Sequence, residues 1–128
     1  MEIKHFLKDK KKRLKILAKL KKNGVIFIDP ENTYIDETVK IGKGTVVYPF
    51  VAIVADTVIG ENCAIWWFNT IIESKIGNSV NVASFCKIEE CVIEDEVTIR
   101  SHSAVTGSRI KKGIKVGPMA KIFRETGG

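Results

Sequence analysis

Aliphatic residues mark the chain at nearly constant intervals: Ile35, Ile41, Val47, Ile53, Ile59, Ile65 and Ile71. The series continues through Ile76, Val82, Ile88, Ile93, Ile99, Val105, Ile110, Val116 and Ile122. Every step is six residues except three steps of five, at 71–76, 88–93 and 105–110. The short steps lie 17 residues apart, so each is the same third of a three-step cycle. Four residues after most anchors stand small or apolar residues such as Val39, Thr45, Val51, Cys63, Val80 and Val97, with Asn69 the polar exception. Turn formers, among them Gly42, Gly44, Gly60, Asn62, Gly77 and Gly113, lie between the two columns. The pattern predicts an all-β solenoid: a triangular parallel β-helix with three short strands per coil and aliphatics filling the prism. About five coils, stacked at about 4.8 Å, would span about 25 Å. A β-sandwich would need hairpin turns and sustained period-2 alternation, and the chain shows neither.

The turn positions separate the three corners of the prism. Three residues after every third anchor stand Phe50, Phe68, Phe85, His102 and Met119. The same offset gives Gly44, Asn62, Ser79, Glu96 and Gly113 on the second corner, and Thr38, Asp56, Ser74, Cys91 and Ser108 on the third. One edge is therefore expected to carry a stacked apolar ladder, with Tyr48, Pro49, Trp66 and Trp67 beside it. Such a ladder folds into the core, faces a neighbour or lines a hydrophobic ligand groove, and no polar residues converge there to orient a ligand. Trp66 and Trp67 are adjacent and cannot both point inward, which favours the neighbour. Phe50, Trp66, Trp67, Phe68, Phe85 and Met119 are thus the candidate oligomer-interface residues. His102 belongs to the same ladder as a packed turn histidine, and it is also the candidate general base should a substrate dock beside it.

Residues 1–23 read as a basic amphipathic helix, with Ile3, Phe6, Leu7, Leu14, Leu17 and Ala18 forming one stripe and Asn23-Gly24 a suitable stop. The solenoid then occupies residues 24–128. The net charge of +6 over 128 residues is local: residues 1–23 carry nine lysines and Arg13 against Glu2 and Asp9. The remaining chain is slightly acidic, which argues against a nucleic-acid footprint spread over the fold. The helix is expected to cap the open sheet edges of the first coil. No apolar run approaches a membrane span or a secretory signal, so the expected location is cytoplasmic. Cys63, Cys86 and Cys91, odd in number and without a CxxC or a paired His, predict small buried reduced thiols and no metal site.

The segment from Asn23 to Ile35, NGVIFIDPENTYI, and the punctuation Ile41-Gly42, Ile59-Gly60, Ile76-Gly77 and Val116-Gly117-Pro118 carry a family resemblance. Over about residues 14–122 the chain resembles the hexapeptide-repeat, left-handed β-helix family. Within it, the likeness is to the acetyltransferase half of the bifunctional N-acetylglucosamine-1-phosphate uridyltransferase/glucosamine-1-phosphate acetyltransferase. The resemblance alone implies left-handed coils and a homotrimer of prisms packed side by side around a three-fold axis. It also implies that the uridyltransferase loop would precede this region, and that the catalytic histidine and acetyl-CoA-binding coils would follow it. A family arginine that helps bind sugar phosphate falls one residue away from Arg124 here, making Arg124 the candidate substrate-binding residue.

These observations lead to an expected role in assembly or scaffolding, without a cofactor. The last coil is expected to stack end to end on another copy, or on a separate chain that carries catalytic coils. The alternative is an acyltransferase or sugar-nucleotide transferase of the UDP-N-acetylglucosamine type, using acetyl-CoA at an intersubunit site.

Overall fold

The computed structural model describes residues 3–124, with side chains from Asp9 onward. Helix α1 (Ile3–Lys22) is followed by seventeen short strands that wind into a three-sided prism. All pairings are parallel, and each face repeats every third strand. The first face holds β1 (Ile26–Phe27), β4 (Val46–Val47), β7 (Ala64–Ile65), β10 (Asn81–Val82), β13 (Thr98–Ile99) and β16 (Lys115–Val116). The second holds β2 (Thr33–Ile35), β5 (Val51–Val54), β8 (Thr70–Ile72), β11 (Lys87–Glu89), β14 (Ala104–Thr106) and β17 (Lys121–Ile122). The third holds β3 (Lys40–Ile41), β6 (Val58–Ile59), β9 (Lys75–Ile76), β12 (Val92–Ile93) and β15 (Arg109–Ile110). The fold is a left-handed parallel β-helix of about six turns rather than five. The additional turn begins at β1, where Phe27 pairs with Val47 and takes an anchor position that an aliphatic count starting at Ile35 passes over.

Every anchor from Ile35 to Val116 is buried, and Ile122 is half-buried. The second inward column lies two residues before each anchor, not four after it. The two descriptions coincide across a six-residue step and diverge across a five-residue step. Ser74 and Cys91, which the offset assigned to the third corner, are in fact buried. The short step removes one turn residue, and the left-handed backbone falls on Glu73, Glu90 and Gly107 instead.

The polar members of this column bridge successive coils. Thr45 Oγ1 accepts from the Cys63 N–H (3.1 Å), Ser74 Oγ from Cys91 N–H (3.1 Å) and Asn69 Oδ1 from Cys86 N–H (2.7 Å). Asn69 also donates to the Trp66 and Val82 carbonyls, so its amide is satisfied inside the core. The three cysteines are free and buried, and their thiols donate to carbonyls of the following coil, at 3.1 Å for Cys63 and 3.2 Å for Cys86 and Cys91. Burial holds all three thiols above the ordinary cysteine range.

α1 packs on β1, β2 and the 3-10 turn Pro30–Asn32 through Leu17 and Leu20, with Leu14 and Ile16 partly buried. Ala18, predicted on the buried stripe, is exposed, and Leu20 takes its place one helical turn from Leu17. Ile3, Phe6 and Leu7 lie outside the described side chains. The helix ends in a paired C-terminal cap, with Gly24 N–H donating to Lys21 O (3.0 Å) and Val25 N–H to Leu20 O (3.2 Å). Gly24 has φ +99°, and a Cβ there would lie 2.8 Å from Lys43 Cβ. The Arg13 guanidinium sits 4.2 Å over the Tyr34 ring and donates to Glu31 O. No described helix is long and apolar enough to cross a membrane.

Candidate functional site

All three corners turn through left-handed backbone. On the corner between the first and second faces this conformation belongs to Phe50, Phe68, Phe85, His102 and Met119, with φ between 57° and 62°. The backbone N–H groups of four of these residues donate to carbonyls of the preceding coil, Phe50 to Asn32, Phe85 to Trp67, His102 to Ser84 and Met119 to Ser101, which holds the corner in register. Their rings stack in consequence: Phe50–Phe68 at 5.1 Å, Phe68–Phe85 at 4.9 Å and Phe85–His102 at 5.0 Å, with planes within 15°. The rings point outward. Phe50, Phe68 and Phe85 are 46–52% exposed and Met119 is 72% exposed. The inward-folding possibility for the ladder is thereby removed.

The first face extends this corner. Tyr48 and Trp66 stack at 4.2 Å, and Trp66 Nε1 donates to Asn81 Oδ1 at 2.6 Å. Trp66 is therefore half-buried against its own face, whereas Trp67 is exposed at the edge. Below them Ile26 and Ile28 are exposed on either side of Phe27. The outward positions thus run Ile26, Val46, Ala64 in one row, which turns polar at Asn81 and Thr98, and Ile28, Tyr48, Trp66, Ala83 in the other, which turns polar at Arg100. Sequence reasoning missed Ile26 and Ile28. The unbroken apolar run Val25-Ile26-Phe27-Ile28 carried that signal, since a strand must place alternate members of such a run on its outer side.

His102 ends the ladder with its ring on Phe85; among the described residues no side chain hydrogen-bonds its imidazole. Arg124 lies at a different corner, across the second face, where Nε donates to Gly107 O at 3.4 Å. The structure does not bring His102 and Arg124 together. Among the described residues no group of three or more His, Cys, Asp or Glu is placed to hold a metal ion.

The sequence description of the GlmU-like, C-terminal hexapeptide family matches residues 50–126, more than half of the chain. The chain belongs to that family. The bifunctional protein GlmU of Thermosipho africanus is 46% identical over 110 residues, covering 85% of this chain and 24% of that protein. The bifunctional protein GlmU of Thermotoga maritima is 36% identical over 120 residues, covering 91% of this chain and 26% of that one. The chain thus spans about a quarter of the length of these curated GlmU relatives. Among solved structures, the GDP-perosamine N-acetyl transferase of Caulobacter crescentus, in complex with CoA and GDP-perosamine, superposes with a TM-score of 0.53. At 14% identity, with 91% of this chain and 62% of that one covered, this likeness shows the shared fold.

Proposed function

We propose that this GlmU-like β-helix is an assembly module that forms a homotrimer through its aromatic corner, with the prisms side by side. The observation that carries this reading is the placement of Phe50, Phe68 and Phe85 in left-handed backbone while their rings face outward. Left-handed backbone costs an L-residue about 1–2 kcal/mol, and a bulky aromatic is an uncommon occupant. Stacking returns about 0.5–1.5 kcal/mol per pair. That leaves three half-exposed rings with nothing gained from their outer surfaces, an arrangement that burial against another copy would repay. The apolar outer positions of β1, β4 and β7 extend the same surface over the first three coils.

The role of such a trimer is scaffolding within amino-sugar nucleotide synthesis of the kind GlmU relatives perform. Light scattering on the isolated chain tests the assembly, and calorimetry with acetyl-CoA and UDP-N-acetylglucosamine tests the absence of a ligand. A trimer indifferent to both ligands supports the proposal. A monomer at micromolar concentration overturns the interface. A trimer that binds acetyl-CoA, with binding lost on His102→Ala or Arg124→Ala, replaces the scaffold with an acetyltransferase that uses an intersubunit site.

A further inference from the structure

The third face differs from the other two at its beginning. α1 packs on β1, β2 and the 3-10 turn, but the third face opens with β3, which pairs only with β6. Between β3 and α1 lies an open groove of about 840 Å³. Its apolar wall is built from the partly exposed Ile16, with Leu20 of the helix and Val39 and Ile41 of the strand buried behind it. Its rim carries Lys12, Lys15 and Lys19 from the helix and Lys40 from the strand, with Glu37 the one carboxylate among the lining residues. Lys12 is paired with Glu37 at 3.4 Å, which leaves Lys15, Lys19 and Lys40 as the surplus charge.

The backbone of β3 also faces this groove. The N–H groups of Lys40 and Gly42 donate toward β6, to Thr57 O at 3.1 Å and Ile59 O at 2.9 Å. In planar trans peptides the intervening groups must point the other way, so the Val39 carbonyl and both the N–H and carbonyl of Ile41 face the groove. One coil further on, the equivalent carbonyls of Thr57 and Ile59 accept those same bonds from β3. Among the described residues no strand performs that service for β3. The groove therefore combines a row of strand donors and acceptors, an apolar wall and a cationic rim.

We propose that this groove is a docking site for an extended, acidic peptide segment of another protein, which adds to β3 as a strand. The unpaired edge supplies main-chain hydrogen bonds, side chains alternating along the peptide meet the apolar wall, and its carboxylates meet Lys15 and Lys19. Charge alone would suit any polyanion; the strand edge is what selects a peptide. This inference does not depend on the aromatic corner, which lies on a different edge of the prism.

The test uses the full chain and a fluorescently labelled acetyl-(Glu-Val)3-amide peptide, with two comparison peptides. One carries Lys in place of Glu; the other is N-methylated at alternate residues so that it cannot complete the strand bonds. Saturable binding of the acidic peptide below about 1 mM is expected, weakened about tenfold or more by either change. Lys15→Glu with Lys19→Glu, both exposed, is expected to weaken binding similarly without altering the fold. Hydrogen exchange at the Ile41 amide should slow on binding, while Lys40 and Gly42, already bonded to β6, stay unchanged. No saturable binding, or equal binding of the N-methylated peptide, overturns the proposal. So does an oligo-dT strand that binds the same lysines more tightly and leaves Ile41 exchange unaltered.

Discussion

Two corners of the same prism solve one backbone problem with different side chains. Phe50, Phe68, Phe85, His102 and Met119 on the first, and Gly44, Asn62, Ser79, Glu96 and Gly113 on the second, all adopt left-handed φ. The second corner uses glycine and asparagine, for which this conformation is cheapest, with other small or polar residues between them. The first accepts three phenylalanines and stacks them. Geometry alone would have been met by either set. Under the proposed trimer the aromatic corner is furnished for what its side chains would meet on another copy, whereas the polar corner is furnished for turning.

The comparison can be broken most directly by Phe68→Asn with Phe85→Asn. Asparagine tolerates the left-handed turn, so the prism should remain folded, with unfolding free energy within about 1 kcal/mol of the parent monomer, since relieved strain offsets lost stacking. Light scattering should then show monomers in place of trimers; an unchanged oligomer would sink the interface.

The next effect lies one residue inward. Asn69→Ala removes the acceptor for the buried Cys86 N–H and the side-chain donor to the Trp66 carbonyl, while Val82 O keeps its bond from the Trp66 N–H. Urea denaturation should register a loss of about 1–3 kcal/mol from the unsatisfied group. Asn62→Phe imports the costly occupant to the second corner without a stacked ring. It should destabilise by about 1–2 kcal/mol, and a stabilising effect would show that an aromatic in this turn carries no strain.

The smallest effect is acid sensitivity beside the polar corner. Glu94 accepts from Arg109 at 2.6 Å and from the Lys112 N–H at 3.2 Å, and these bonds hold its carboxyl below the usual carboxylate range. Because the folded value is depressed, the stabilisation is present above the ordinary glutamate pKa and fades as pH falls through the lowered one. Arg109→Ala should flatten that part of the pH–stability curve, and unaltered acid dependence in the variant would exclude the pair as its source.

The anchors were legible because each points from its strand into the interior of a narrow prism, where only aliphatic volume fits. Membership of the aromatic ladder was equally legible, since Phe50, Phe68 and Phe85 recur at coil spacing. The register of the second column was not. Ser74 and Cys91 looked like turn residues until the backbone showed that a five-residue step shortens the turn and keeps the inward position. Likewise Ala18 and Leu20 are both compatible with an amphipathic stripe, and the docking angle of the helix chose Leu20.

Period, strand order and the residues of two of the three corners follow from the sequence, because stacking coils forces equivalent residues into columns whose spacing can be counted. The direction in which a column faces does not follow from counting. Phe68 and Asn69 are neighbours in the chain, yet one ring lies in solvent and the other amide in the core. The tertiary structure decided that, and it alone opened the groove beside β3. Both depend on where coils and helix settle against one another, which involves residues far apart along the chain.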